Sequence, residues 1–242
     1  MARAIFKSWF VDFDPVHAKA AGNAPAHMEA ETATMFPSSF GDKGLPMGWN
    51  FENIYTFCEV KYGAPFASKR FNSDAIGRPL IRIRDLRHHS SNLFTDEIHT
   101  KETLINCGDI VVGMDAEFKA FIWQGAPSLM NQRVCMFVPK YEVSKTFLKF
   151  GIEKPLSFFE RGKVGTTVIH LAKKDIDTFE LISPSKGLVK EFSKLVEPLT
   201  DKIIANSFES RSLAELRDTL LPKLMSGKIR VKDAEREVER VI

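Results

Sequence analysis

An α+β fold is predicted, in which a domain of short mixed strands is followed by one long helix with coiled-coil-like packing. Three observations predict it. Between Trp49 and Ser183, short apolar runs are punctuated by glycines and prolines. After Pro184 these breakers become sparse and apolar residues recur at helical spacing. The chain has 242 residues, 44% hydrophobic and 27% charged, the make-up of a water-soluble globular protein large enough to bury a core.

In chain order, Ala2 to Phe10 carries helical apolar spacing, with Ile5, Phe6, Trp9 and Phe10 on one side and Pro15 closing the segment. From Ala20 to Gly48 the composition turns to Ala, Gly, Pro, Ser and Met, which reads as an irregular connection. The main domain opens at Trp49. Asn53 to Tyr62 alternates and ends at Gly63, predicting a strand and a turn. Pro79 to Leu86 alternates more clearly, so Leu80 or Ile81 packs inward with Ile83 while Arg82 and Arg84 share the opposite face. Gly108 to Met114 is an apolar run between glycines, hence a buried strand. Phe121 to Trp123 and Arg133 to Val138 are further strands, separated by the Gly-Ala-Pro-Ser turn at residues 125 to 128. Tyr141 to Lys149 is predicted helical, and residues 173 to 177 a turn or short helix before a last strand near Phe179 to Ile182.

In the C-terminal helix, Phe192, Leu195, Leu199, Leu213, Leu216 and Leu220 fall at a and d positions of one heptad frame, with Asn206 at an a position. Lys202, Glu209 and Lys223 interrupt the d row. Continuous from Gly187 to Leu221, the helix would be about 50 Å long. Pro198 predicts a kink or fresh start, and Pro222 with Gly227 the stop. Such a helix needs a second helix or a partner to cover its stripe. The expected divisions are 1–20, 21–48, 49–185, 186–226 and a tail, 227–242.

The chain has no run of about 18 apolar residues, which excludes a membrane-spanning helix. Its first residues lack the apolar core of a signal peptide. Cys58, Cys107 and Cys135 are odd in number and set in apolar sequence, so they read as reduced thiols of a cytoplasmic protein, with neither metal nor cofactor implied. The net charge of +3 is modest, but its distribution is uneven. From Lys61 to Arg87 seven basic residues (Lys61, Lys69, Arg70, Arg78, Arg82, Arg84, Arg87) stand against Asp74 and Asp85. Such a concentration is the footprint of phosphate contact, and equally that of a solvated basic face.

Three segments carry side chains suited to reading base edges. Lys69, Arg70 and Asn72 combine cations and an amide around Phe71. Arg84, Arg87 and His88 follow a predicted strand. Asn131, Gln132 and Arg133 pair two amides, which suit adenine, with an arginine, which suits guanine. Asn131 and Gln132 read equally well as amides that satisfy loop backbone.

Two terminal signatures bear a resemblance to a known family. Ser212-Leu-Ala-Glu-Leu-Arg-Asp-Thr-Leu-Leu-Pro-Lys-Leu-Met-Ser-Gly-Lys-Ile-Arg-Val231 resembles the end of the distal spacer of type I restriction–modification specificity subunits, and Phe6 to Pro15 the end of the central spacer. Pro79 to Leu86, Gly108 to Asp115 and Leu129 to Cys135 are similar to segments of their recognition domains. The resemblance implies a non-catalytic chain that chooses the double-stranded DNA sequence on which methyltransferase and restriction subunits act. On this reading the divisions are the end of a central spacer helix, a connection, the second target recognition domain, the distal spacer helix and the tail. The first recognition domain and most of the central helix are missing, so the resemblance is to a C-terminal half, arising from an internal start or from a half-subunit able to pair as a homodimer. It favours DNA contact by Lys69, Arg70 and Arg87, and helix packing by Phe192 to Leu220.

An enzyme reading competes. Asp109, Asp115, Glu117 and Lys119 have the residue types of an Mg²⁺-binding nuclease cluster, in which the metal activates water. A polar turn between buried strands accounts for them more simply. A docking module that reads no DNA is the third alternative. No Walker or dinucleotide loop, methyltransferase motif or nucleophile elbow is present, and the six histidines form no metal spacing. His170 reads as packed or hydrogen-bonded.

Overall fold

The computed structural model describes residues 1–140, 143–162 and 169–239. They fall into two units, Met1–Thr200 and Asp201–Ile242. The first holds α1 (Ala2–Phe10), α2 (Asp14–Ala20), α3 (Ala30–Thr34), α4 (Ile54–Phe57), α5 (Lys145–Gly162) and α6 (Lys173–Ile176). Its strands are β1 (Asn50–Asn53), β2 (Cys58–Tyr62), β3 (Phe71–Asn72), β4 (Arg78–Ile81), β5 (Phe94–Thr95), β6 (Leu104–Ile105), β7 (Ile110–Gly113), β8 (Ala120–Ile122), β9 (Ser128–Met130), β10 (Val134–Pro139) and β11 (Glu180–Ser183). Helix α7 (Lys186–Met225) belongs to both units, and α8 (Val231–Glu239) to the second.

The strands form three sheets, ordered β1-β11, β2-β10-β7-β8 and β3-β5-β4-β9-β6. The central strands of the four-stranded sheet, β10 and β7, are buried on both faces, and strand periodicity shows how. On β7, Ile110 and Val112 enter a core shared with the helices, while Val111 enters a second core with Ile81, Trp123 and Met130. On β10, Cys135 and Phe137 point to the first core, and Val134 and Met136 to the second. This explains why both strands read as unbroken apolar runs rather than alternations.

The helical core is aromatic. Phe6, Trp9 and Phe10 of α1 pack with Phe147 of α5, Phe192 of α7, Phe36 of the connection and Trp49 at the start of the main domain. Residues 21–48, expected to be irregular, hold the short helix α3 and are anchored: Phe36 is buried, and Lys19 Nζ donates to the Ala33 carbonyl at 2.9 Å.

Several predicted elements are corrected. Pro15 does not close a helix but opens α2 in its first turn, where its missing N–H costs nothing. The single strand predicted from Asn53 to Tyr62 is broken by α4, because the Asn53 side chain accepts from Tyr55 N at 3.0 Å and caps a helical turn. The strand predicted from Pro79 to Leu86 stops at Ile81, so Arg82 and Arg84 do not share a strand face; Ile83–Asp85 is a 3₁₀ turn. Ser128–Met130 is a strand that turn chemistry concealed. The helix predicted at Tyr141 starts, within the described residues, at Lys145 and runs to Gly162; positions 141–142 lie outside them, as do 163–168 and 240–242.

Helix α7 passes through Pro198 without a break. The heptad frame is also corrected over its first turns. Leu188, Val189, Phe192 and Val196 are buried, whereas Leu195 is 52% exposed. The i, i+4 row docks onto a globular core, which calls for a broader face than a two-helix seam. In the second unit Asn206 and Leu213 are exposed, Leu216 is half-buried, and Leu220 is buried beside a groove lined by Leu224, Val231, Ala234 and Val238. No helix among the described residues is long and apolar enough to cross a membrane.

Burial raises the Cys58 and Cys135 thiols to about 12. A group whose folded value exceeds its unfolded value leaves stability untouched below the unfolded value and lowers it above. Stability should therefore fall as pH climbs from 9 toward 12, because only the unfolded chain then ionises these thiols. At pH 8 a disulfide reagent should titrate half-exposed Cys107 alone, and all three cysteines in denaturant. Rapid reaction of all three in the folded chain would contradict this packing.

Candidate nucleic-acid interface

Strands β4 and β9 run parallel, with Leu80 opposite Leu129 and Ile81 opposite Met130. Both therefore leave the five-stranded sheet at the same end, and the Asn131 backbone N–H donates to the Ile81 carbonyl there at 3.0 Å. Beyond Ile81 the Asp85 carboxylate accepts from the Arg82 backbone N–H at 2.9 Å and from Arg82 Nε at 3.1 Å. That bend leaves Arg84, Arg87 and His88 exposed. Beyond Met130, Val134 N donates to the Asn131 carbonyl at 2.9 Å, closing a turn that exposes Gln132 and Arg133 and half-buries Asn131.

A third segment completes this edge. Met114 N, just past β7, donates to the Arg133 carbonyl at 2.9 Å. Gly113 lies under Ile83, where an added Cβ would come within 2.9 Å of the isoleucine Cγ2. The residues after β7 then meet the exposed cations. Glu117 accepts from Arg87 Nη2 at 3.1 Å and from Lys119. The Lys119 hydrogen bond, with the charges of Lys119 and Arg87, holds the Glu117 carboxyl below the usual carboxylate range. Asp115 Oδ1 lies 3.4 Å from Arg133 Nη1 and 2.7 Å from His170 Nδ1. The side chains of Arg84, His88 and Gln132 make no hydrogen bond or ion pair among the described residues.

The remaining predicted residues lie elsewhere. Phe71 and Arg78 share Thr95 as cross-strand partner, so the 3₁₀ turn Ser68–Arg70 sits at the opposite end of the sheet from Arg84 and Arg133. At that end the cations are largely matched. Arg70 Nε donates to Asp96 at 2.9 Å. Arg78 makes two bonds of 2.7 Å to Glu102, and these hold the Glu102 carboxyl down at about 2. Lys69 is exposed and makes no side-chain bond among the described residues. The Asn72 amide donates to the Ile76 carbonyl at 2.9 Å and accepts from Ile76 N at 3.0 Å, so its polar atoms close a turn. The basic stretch seen in the sequence is thus divided between two surfaces, and only the β4–β9 edge keeps unmatched arginine.

The proposed Mg²⁺ cluster does not assemble. Asp109 precedes β7 and accepts from Asn106 N at 2.7 Å, whereas Asp115 follows the strand. Four strand residues, roughly 13 Å at ~3.3 Å each, separate them. No group of three or more His, Cys, Asp or Glu side chains suited to a metal occurs among the described residues. Asp115 and Glu117 hold cations of the protein itself.

Sequence reasoning missed two parts of this edge. His170 reaches it through a backbone bridge to Asp115, a pairing across 55 positions that no local pattern signals. Gly63 is the other. A Cβ there would fall 2.1 Å from the Asn131 carbonyl oxygen. Gly63→Ala should displace the 131–133 turn and cost on the order of 1–3 kcal/mol. A thermal melt checks it, and an unchanged midpoint would disprove the close approach.

A family profile described as Type I restriction modification DNA specificity domain matches residues 46–213. The HindI specificity subunit of Haemophilus influenzae is 28% identical over 282 residues, covering 95% of this chain and 61% of that protein. The EcoBI specificity subunit of Escherichia coli is 29% identical over 194 residues, covering 79% of this chain and 36% of that protein. This chain thus spans between a third and two thirds of the length of these relatives. The crystal structure of the type I restriction–modification S subunit from M. genitalium superposes with a TM-score of 0.54 at 14% identity, over 74% of this chain and 46% of that one, a likeness of fold. With most of its residues inside the matched region, this chain belongs to the family of type I restriction modification DNA specificity domains.

Proposed function

We propose that the chain reads base sequence in double-stranded DNA as the C-terminal half of a specificity subunit, contributing one half of a bipartite site. The observation that carries this reading is the parallel β4–β9 pair, which gathers Arg84, Arg87, His88, Gln132 and Arg133 on one exposed edge. Arginine offers a planar fork of donors that matches guanine O6 and N7, and glutamine amides match adenine. Lys69 and Arg70, at the far end of the sheet, act as flanking phosphate contacts, which add affinity without sequence information. Asn72, whose amide closes its own turn, supports its segment rather than reads bases; half-buried Asn131, whose side chain makes no bond among the described residues, joins Gln132 as an amide suited to adenine.

The apolar residues exposed along α7, among them Leu195, Ile203, Phe208 and Leu213, serve docking rather than reading. On this reading they meet a methyltransferase subunit, through it a restriction subunit, or a second copy of the chain, together with Leu199, Asn206 and Leu216, while buried Leu220 is left to the groove it shares with α8. Chemistry is left to those partners.

Equilibrating the full chain with a random-sequence duplex library at low salt, then sequencing the bound fraction, tests the reading. An enriched short motif is expected. Retention of DNA with no enrichment at any position would leave a docking module and sink base reading.

A further inference from the structure

We infer that Asp115 and His170 are positioning residues for Arg133, pinning its guanidinium at the exposed edge for contact with a single base pair. This rests on the DNA-reading role proposed above and deepens it.

The geometry is a closed triangle. Arg133 Nη1 lies 3.1 Å from His170 Nδ1 and 3.4 Å from Asp115 Oδ1, and those two atoms are 2.7 Å apart. The ring nitrogen has one hydrogen-bonding position in its plane. Without a proton it accepts from Arg133; with one it donates to Asp115, and Arg133 keeps the carboxylate as its partner. Either way the guanidinium is tethered at Nη1. Only that nitrogen bonds within the described residues, so the rest of the five-donor fork stays available.

The tethers are themselves fixed. Ala116 N donates to the Ile169 carbonyl at 3.1 Å and Leu171 N to the Met114 carbonyl at 2.7 Å, so the backbones bearing Asp115 and His170 are tied on both sides. The Arg133 carbonyl is held by Met114 N. The Asp115 side chain is only 23% exposed while that of Arg133 is 51% exposed, the arrangement of a shielded anchor under an accessible contact. An arginine fixed in this way loses less side-chain freedom on meeting a base than a free one. Asp115, which the sequence offered as a metal ligand, gains a different role here.

The test is library selection with the full chain and the variants Arg133→Ala, Asp115→Ala, His170→Leu, His170→Asn and Asp115→Ala/Arg133→Ala. Arg133→Ala should erase discrimination at one base pair, a loss of about tenfold or more. Asp115→Ala and His170→Leu should weaken discrimination several-fold at that same base pair. They should leave other positions unchanged and add nothing once Arg133 is gone. His170→Asn, whose amide reaches the place of Nδ1, should retain most of it. A merely structural tie would lower affinity for all sequences alike, or add to the Arg133→Ala loss, and either result overturns the positioning role. Undiminished discrimination in Arg133→Ala overturns it together with base contact by Arg133, while leaving DNA reading by the chain intact. No enrichment with the unaltered chain overturns both this inference and the function beneath it.

Discussion

Replacing Phe192 by alanine should destabilise the chain by about 3–5 kcal/mol, the usual range for truncating a buried aromatic. Phe192 is fully buried, and its ring meets those of Phe6, Trp9, Phe10 and Phe147 at centroid distances of 5.9, 6.1, 5.2 and 6.3 Å. Removing it empties the centre of a cluster that joins α1, α5 and α7, and the surrounding rings are too rigid to close the gap. Leu195→Ala, three residues on, should cost under ~1 kcal/mol because that side chain is 52% exposed. Urea midpoints of the two variants decide which face of α7 holds it to the domain. Equal costs would restore the heptad seam as the packing face.

Arg84→Ala/Arg133→Ala should remove base discrimination worth about 1–3 kcal/mol for each well-formed arginine–guanine pair. Lys69→Ala/Arg70→Ala should instead lower affinity on all sequences about equally and reduce the salt slope by about 0.9 for each phosphate no longer neutralised. The contrast follows from the sheet. The first pair stands where β4 and β9 both end, the second where β3 and β4 begin. Binding measured by fluorescence anisotropy on a selected duplex and a scrambled one, at several salt concentrations, separates the two effects. If Lys69→Ala/Arg70→Ala changes base preference at constant salt slope, the reading surface lies at the other end of the sheet.

The fold class was legible in the sequence because its strongest signals are local. The apolar run at β7, the alternation entering β4 and the helical spacing after Pro184 each survive as elements. Boundaries shifted where one side chain redirects the backbone, as when Asn53 caps α4 or Asp85 bends the chain after β4. The buried face of α7 departs from the heptad expectation because heptad spacing describes a helix against a helix, and its first turns pack instead on an aromatic core.

Of the candidate site, the arginine segments at 84–87 and 131–133 were visible by composition, but their shared location was not. It depends on parallel pairing of strands about 50 residues apart, which no pattern in either strand encodes. The same holds for Asp115 with His170. The stretch from Lys61 to Arg87 misled in the other direction: its charges are adjacent in sequence but belong to two ends of a sheet, and two of them, Arg70 and Arg78, are neutralised by Asp96 and Glu102.

The measurement that bears most directly on the proposed role is co-purification with the methyltransferase subunit, followed by mapping of the methylated sites in random-sequence DNA. The proposed role predicts a stable complex that methylates a defined motif. Arg84→Ala/Arg133→Ala should degrade that motif, and Lys69→Ala/Arg70→Ala should leave it intact at reduced yield. A stable complex that methylates no defined motif, or a motif indifferent to Arg84 and Arg133, would contradict base reading at the β4–β9 edge.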